Sequence, residues 1–172
     1  MPRVSFDELP DHGRLWVFPV SRALETEEEG RLLAEVDAFL DGWAAHGRLL
    51  RSARRLVEGR FLLVGVDVDA EAPSGCSIDA LVHRLRDLAE RRGFTLTDHE
   101  PVRYRPPQAP GEIRAVPRGE FRRLAAEEAI TPEVRVFDTT LTRVGDLRHE
   151  GLERPARTSW HARAFFRARP DA

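Results

Sequence analysis

The sequence predicts an α+β protein whose first part follows the ferredoxin-like split βαβ order, βαββαβ. Two observations carry this prediction. Apolar residues recur at helical spacing in two stretches, residues 26–46 and residues 78–92. Between them, residues 61–68 form an apolar run of the kind found in a strand that is buried on both faces.

The first strand and the first helix have local signals at their ends. Residues 15–18 predict a short apolar strand that is closed by Pro19. Thr26 stands three residues before Glu29, which is the spacing of a capping box and predicts the start of the helix. Gly47 is expected to end this helix, which carries a single apolar stripe.

The remaining elements of the first part follow from charge and turn residues. The arginine-rich residues 49–57 predict a charged edge strand, and Glu58-Gly59 predicts a tight turn into the buried strand. A second helix follows the loop of residues 70–77 and is expected to stop at Gly93. Residues 102–105 predict the last edge strand.

The predicted domain organisation has three parts. Residues 1–105 form the ferredoxin-like domain, with both helices on one face of the sheet and the strand of residues 61–68 inside it. Residues 106–111, Pro-Pro-Gln-Ala-Pro-Gly, are interpreted as a stiff linker. Residues 112–172 form a small C-terminal helix–strand extension. We expect it to dock on the first domain, because it is too small to hold a large core alone.

Composition excludes several classes of function. All 27 basic residues are arginines, so the chain has no Walker A lysine and no lysine for a Schiff base. A net charge of −2 argues against bulk binding of nucleic acid. No apolar run is long enough to span a membrane and residues 1–9 do not resemble a signal peptide. With Cys76 as the single cysteine, these features predict a soluble, cytoplasmic protein.

The candidate ligand site is the loop Ser74-Gly75-Cys76-Ser77, where the second helix is expected to begin. Open N–H groups and the helix dipole favour an anion at such a position, or a thiolate at Cys76. We expect the first and third strands to run parallel, which would bring Arg22 to the same end of the sheet as an anion clamp. The predicted ligand-binding residues are Arg22, Gly75, Cys76 and Ser77. The alternative is a solvated arginine beside an ordinary helix cap.

Three stretches together carry a resemblance to a known family: Trp43-Ala44-Ala45-His46-Gly47, Ser74-Gly75-Cys76-Ser77-Ile78-Asp79, and Val136-Phe137-Asp138-Thr139-Thr140 with Ser159-Trp160-His161. The chain resembles a family of short, uncharacterised bacterial proteins that often carry the label "ABC transporter ATPase". It lacks the Walker A lysine, the Leu-Ser-Gly-Gly-Gln signature and the apolar strand ending in Asp-Glu. The resemblance implies a shared fold and no defined activity.

Three functions stay open at this point. The leading hypothesis is a non-enzymatic protein that binds a small anion or another ligand. The second is an enzyme with Cys76 as nucleophile and a base from elsewhere, for which His161 is the candidate; His83 lies roughly 10 Å away along the helix axis. The third is an adaptor that binds a protein partner through the aromatic residues of 112–172, since residues 112–161 resemble small GYF-like adaptor modules.

Cofactors, metals and RNA are not expected as ligands. The six histidines and the cysteine show no metal-ligand spacing, and no cofactor motif is recognised. Recognition of RNA by this topology needs aromatic residues on the central strands for base stacking. Residues 61–66 instead carry the pattern of a core strand.

We expect the chain neither to hydrolyse ATP nor to bind it in a Mg²⁺-dependent manner, because it has no lysine and no Walker A loop. Isothermal titration calorimetry with ATP, in the presence and absence of Mg²⁺, measures this directly. Stoichiometric binding that requires the metal would contradict the prediction.

Overall fold

A computed structural model describes residues 2–96 and 98–167. Helices and strands are mixed along the chain and every sheet is antiparallel, which confirms the α+β prediction. In the part of the chain that is described, no helix is both long and apolar enough to cross a membrane.

The chain divides into two compact units. The first comprises Met1–Asp98 with Thr140–His149, and the second comprises His99–Thr139 with Glu150–Ala172. In chain order, the helices and strands are β1 (Arg14–Pro19), α1 (Thr26–Asp41), β2 (Ala44–Ala45), β3 (Arg48–Leu49), β4 (Ser52–Val57), β5 (Phe61–Val66), α2 (Gly75–Arg92), β6 (Val102–Tyr104), β7 (Arg114–Val116), α3 (Arg118–Ala126), β8 (Arg135–Phe137), α4 (Val144–Glu150), β9 (Glu153–Pro155) and α5 (His161–Phe165).

The first unit is built on a three-stranded sheet with the strand order β1-β5-β4. All six residues of β5 are buried, so the predicted interior strand is confirmed. β4 lies at the edge, as its charges indicate, and its arginines are ion-paired: Arg54 with Asp37 and Arg55 with Asp7. Glu58 and Gly59 both have positive φ and lie in the turn between β4 and β5, as predicted, but the turn has three residues, 58–60, because Val57 pairs with Phe61.

Both long helices pack on the same face of this sheet, as predicted. Their buried leucine and valine residues share one core with alternate residues of β5: Leu32, Val36 and Leu40 of α1, Leu81, Leu85 and Leu88 of α2, and Leu62, Val64 and Val66 of β5. The opposite face of β5 is covered by the N-terminal segment. A Cβ atom at Gly65 would meet Leu9 Cδ1 at 2.5 Å, so a glycine is needed for this close approach.

The ends of α1 differ from the prediction. Its capping box is formed by Glu25 and Glu28, one residue earlier than the predicted pair. The helix ends at Asp41, with Gly42 as its C-cap, rather than at Gly47. His46 and Gly47 lie beyond it and adopt positive φ angles of 51° and 77°. This is the geometry of a two-residue hairpin turn, and it joins β2 to β3.

The complete ferredoxin-like sheet is not confirmed, because the predicted fourth strand belongs to the second unit. There β6 pairs with β7 and β8 in a four-stranded sheet of order β7-β6-β8-β9. Val102 and Tyr104 are buried in the core of that unit. The boundary therefore falls after Asp98 and not after residue 105, and residues 106–111 lie inside the second unit instead of between two domains.

The second unit has a core of its own, centred on Phe121 of α3. This side chain is fully buried, and its ring makes edge contacts with Tyr104 and Phe165 at centroid distances of 5.3 and 4.9 Å. The predicted helix and strand of the C-terminal extension correspond to α3 and β8. Because β6 supplies Val102 and Tyr104, this core is larger than residues 112–172 alone would provide.

Helix α4 is held to the N-terminal segment of the first unit by Arg148. Its guanidinium donates to the Asp11 carboxylate at 2.6 Å and to the backbone carbonyls of Phe6, Asp7 and Leu9 at 3.2, 3.0 and 2.6 Å. Backbone carbonyls outside sheets and long helices need such partners when they leave water. One side chain thus satisfies three backbone carbonyls of the segment that covers one face of the sheet.

Replacing Arg148 with alanine should lower the free energy of unfolding by about 2–3 kcal/mol, because several charge-assisted hydrogen bonds to partly buried carbonyls are lost together. Urea denaturation measures the change. The control is Arg31→Ala, which removes an exposed pair with Glu27 and should cost less than about 1 kcal/mol. Equal losses in the two variants would contradict the role assigned to Arg148.

Candidate functional site

The start of α2 is an ordinary capped helix end. The Ser77 amide donates to Ser74 Oγ at 3.2 Å, and Ser77 Oγ donates to the Ser74 carbonyl at 2.8 Å. The Ser77 carbonyl accepts a hydrogen bond from the indole of Trp43 at 2.8 Å. The buried Ser77 thus connects the helix cap to the core, while Gly75 and Cys76 are exposed.

The structure does not bring Arg22 to this loop. β1 and β5 are antiparallel and not parallel, so α1 and α2, which follow them, begin at opposite ends of the sheet. The Arg22 guanidinium donates to both oxygens of Glu28 and, at 3.2 Å, to the carbonyl of Arg92 in the last turn of α2. Sixteen residues of helix separate Arg92 from Cys76, which is roughly 24 Å. The predicted anion site is therefore wrong, because Arg22 does not lie near Gly75, Cys76 and Ser77.

Arg22 has a structural role where it lies. Its hydrogen bonds to Glu28, together with the Glu25 amide, lower the pKa of the Glu28 carboxyl to about 2. Its guanidinium also lies over the ring of Phe94, 5.5 Å from the centroid. The arginine joins the first turn of α1 to the C-terminal end of α2, where a cation is favoured by the helix dipole.

His161, the other candidate catalytic residue, is buried in the core of the second unit. Its ring stacks on Trp160 with the centroids 4.0 Å apart, and Nδ1 lies 2.7 Å from Ser159 Oγ. Ser159 Oγ also accepts from the His161 amide, so the pair closes a local turn. A general base must reach its substrate, and this imidazole is only 1% exposed.

Burial keeps His161 neutral. Desolvation is the main cause that lowers the pKa of its imidazole to about 4; Asp138 opposes the shift, and Arg154 and Arg118 add to it. Asp138 is itself buried and accepts from Arg154 at 2.6 Å. The arrangement is that of a packed core residue beside an internal ion pair. Cys76 belongs to the first unit, and none of the described residues hydrogen-bonds to its thiol.

The second unit contains a pocket of about 340 Å³. We name it the proline pocket after its lining residues, which are Arg105, Pro106, Pro107, Pro110, Ala129, Ile130, Thr131, Glu133, Val134 and Arg135. Ile130 and Val134 are nearly fully buried and belong to the core of the unit, so part of the wall is rigid. The residues predicted to be a linker form part of its wall.

The wall of prolines is held in place by Arg105. Its Nη1 donates to the carbonyl of Pro110 at 3.3 Å, and its Nε and Nη2 donate to the two oxygens of Glu153 at 2.5 and 3.3 Å. The turn is closed by the amide of Ala109, which donates to Pro106 O at 3.0 Å. Arg135 shares the same carboxylate, with Nε 3.6 Å from Glu153 Oε1.

Sequence reasoning missed the proline pocket, although two signals for it are present. Residues 134–137 alternate apolar and charged side chains, which places Arg135 on the face away from the core. Three prolines within residues 106–110 indicate a rigid segment. Whether such a segment extends or folds back depends on the hydrogen bonds that Arg105 donates to Pro110 and to Glu153, and Glu153 lies 48 residues further along the chain.

Comparison with known proteins gives no match for this chain among protein-family models, curated proteins or solved structures. Within the described ranges, no group of three or more His, Cys, Asp or Glu side chains is arranged to hold a metal ion.

Acid should destabilise the fold through His161. Above about pH 6.5, the ordinary pKa of histidine, the imidazole is neutral in both states. As the pH falls towards 4, the unfolded chain binds a proton that the folded chain excludes, so stability is lost. Between pH 7 and 4.5 this loss should reach about 2–3 kcal/mol.

The control for this prediction is His161→Gln, which cannot titrate. Urea unfolding of both proteins at pH 7 and pH 4.5 separates the histidine from the carboxylates, which titrate in both. The wild type should lose about 2–3 kcal/mol more than the variant over this range. Identical pH dependence would show that the imidazole is not held neutral by burial.

Proposed function

We propose that this chain is a non-enzymatic binding protein that holds a small ligand in the proline pocket. One observation carries the proposal: about 340 Å³ of concave space with mostly apolar walls and two arginines, Arg105 and Arg135, in its lining. Small-molecule sites in proteins are typically concave, mostly apolar and equipped with a few polar groups that orient the ligand.

The rigid walls of the pocket support the proposal that it binds a ligand. Ile130 and Val134 are 4% and 6% exposed and are packed in the core. The loop of prolines is closed by the hydrogen bond from Arg105 to Pro110, and proline has little backbone freedom to lose. A pocket that is already formed spares the ligand the entropic cost of ordering it.

The surroundings of the two candidate catalytic residues, Cys76 and His161, favour the binding hypothesis over the enzyme hypothesis. Cys76 is exposed at a helix end whose neighbouring amide, that of Ser77, is already used by the cap. His161 is buried against Trp160 and kept neutral. An enzyme with a cysteine nucleophile needs an accessible base at hydrogen-bond distance, and neither residue meets this requirement in its own unit.

A second candidate function is docking of an acidic segment of a partner protein. A wider groove of about 900 Å³ lies between α3 and α5. Its lining includes the aromatic side chains Phe165 and Phe166. It also holds two positive charges, on Arg122 and Arg167, and one negative charge, on Glu128. This surface is the one that an adaptor built on residues 112–172 would use, and its net positive charge favours an acidic partner.

Three broader assignments belong to the same proposal. The order of β1, α1, β4, β5 and α2 supports a ferredoxin-like βαββα core in the first unit. A single exposed cysteine fits a reducing, cytoplasmic compartment. We also propose membership of the family of short bacterial proteins that the motifs resemble; it supplies no activity.

Blocking the proline pocket should abolish binding of small ligands. A fragment library is screened by saturation-transfer NMR against the wild type, and the hits are then tested on Ala129→Phe, which fills the exposed rim of the pocket. The matched control is Ala126→Phe, which lies in the groove between α3 and α5. Hits should be lost in the first variant and kept in the second. The reverse pattern would favour the groove, and hits unaffected by either variant would refute the proposal.

A further inference from the structure

Charged residues of both signs surround the proline pocket. Its lining holds two arginines, Arg105 and Arg135, and one glutamate, Glu133. Glu133 pairs with Arg157 at 2.6 Å, and the carboxylate of Glu153 is shared by Arg105 and Arg135. Arg135 therefore shares its carboxylate partner with a second arginine, beside an apolar cavity.

The two arginines that share Glu153 are held very differently. Arg105 has a side chain only 15% exposed and contacts both carboxylate oxygens, so it is part of the framework. Arg135 is 50% exposed and keeps longer contacts, 3.6 Å to the Glu153 carboxylate and 3.3 Å to its backbone carbonyl. Arg135 can exchange these weak contacts for a ligand without loosening the loop of prolines.

We infer that the ligand of the proline pocket is a small monocarboxylate with a short apolar body. Its carboxylate pairs with Arg135, which presents a planar fork of donors suited to a carboxylate. Its apolar body lies against Pro106, Ile130 and Val134. This inference rests on the proposed function, since it names the ligand class of the same pocket.

The size and the charge of the pocket set limits on that ligand. A volume of about 340 Å³ holds on the order of ten water molecules at ~30 Å³ each, so a ligand has roughly ten non-hydrogen atoms. The single positive charge of Arg135, half-exposed and held by long contacts, matches a monoanion. A dianion such as phosphate would bring a second negative charge next to Glu133 and Glu153, and it would leave the apolar wall without contacts.

The test compares three probes with the same six-carbon chain: hexanoate, hexan-1-ol and hexylammonium. NMR titration at pH 7 gives the Kd of each for the wild type, for Arg135→Gln and for Arg123→Gln. The last variant removes the same charge from an exposed pair with Glu127 at the end of α3, and neither of these two residues lines the pocket. Hexanoate should bind best to the wild type and hexylammonium worst.

In Arg135→Gln the Kd of hexanoate should rise about fivefold, as expected for loss of a half-exposed ion pair. Hexan-1-ol should bind this variant as it binds the wild type, and Arg123→Gln should change hexanoate binding by less than about twofold. Equal or tighter binding of hexan-1-ol or hexylammonium to the wild type overturns the ligand class and leaves the proposed function standing. If hexanoate binds Arg135→Gln as tightly as it binds the wild type, the ligand class is likewise overturned and the proposed function stands. Failure of all three probes to bind overturns the proposed function as well.

Discussion

Strand β1 pairs antiparallel with β5, and this pairing sets the direction of both long helices of the first unit. Each helix follows one of the two strands, so α1 and α2 start at opposite ends of the sheet. Arg22 consequently lies beside the last turn of α2, where it bonds to Glu28 and to the Arg92 carbonyl. The exposed Cys76 lies at the other end of α2, far from Arg22.

In the second unit, the arginines at the proline pocket depend on the carboxylate of Glu153. It fixes Arg105, which closes the loop of prolines through the carbonyl of Pro110. The same carboxylate makes only long contacts with Arg135, which leaves that guanidinium adaptable. A rigid loop and one adaptable charge thus depend on a single carboxylate, and the proposed ligand site depends on both. His161 contributes to the packing of the unit and not to this site.

Local signals in the sequence predicted the elements well and the long-range pairing poorly. The Gly93 stop of α2 follows from neighbouring residues, and the structure agrees with it, with Ser74 as the N-cap at the other end. The partner of β6 could not be predicted in this way, because the alternation of Val102 and Tyr104 suits any sheet with an apolar face. Their burial beside Phe121 decides the pairing. The proline pocket was missed for the same reason, since it requires contacts between residues far apart in the chain.

Amide chemical-shift mapping of the ¹⁵N-labelled protein during a titration with hexanoate tests the central claim most directly, because it locates the ligand without assuming a site. Binding in the proline pocket should shift the amides of residues 129–135 and of Arg105, and leave those of residues 75–77 unchanged. The account would be contradicted if the largest shifts fell on residues 75–77, or if none of the amides that border the pocket moved.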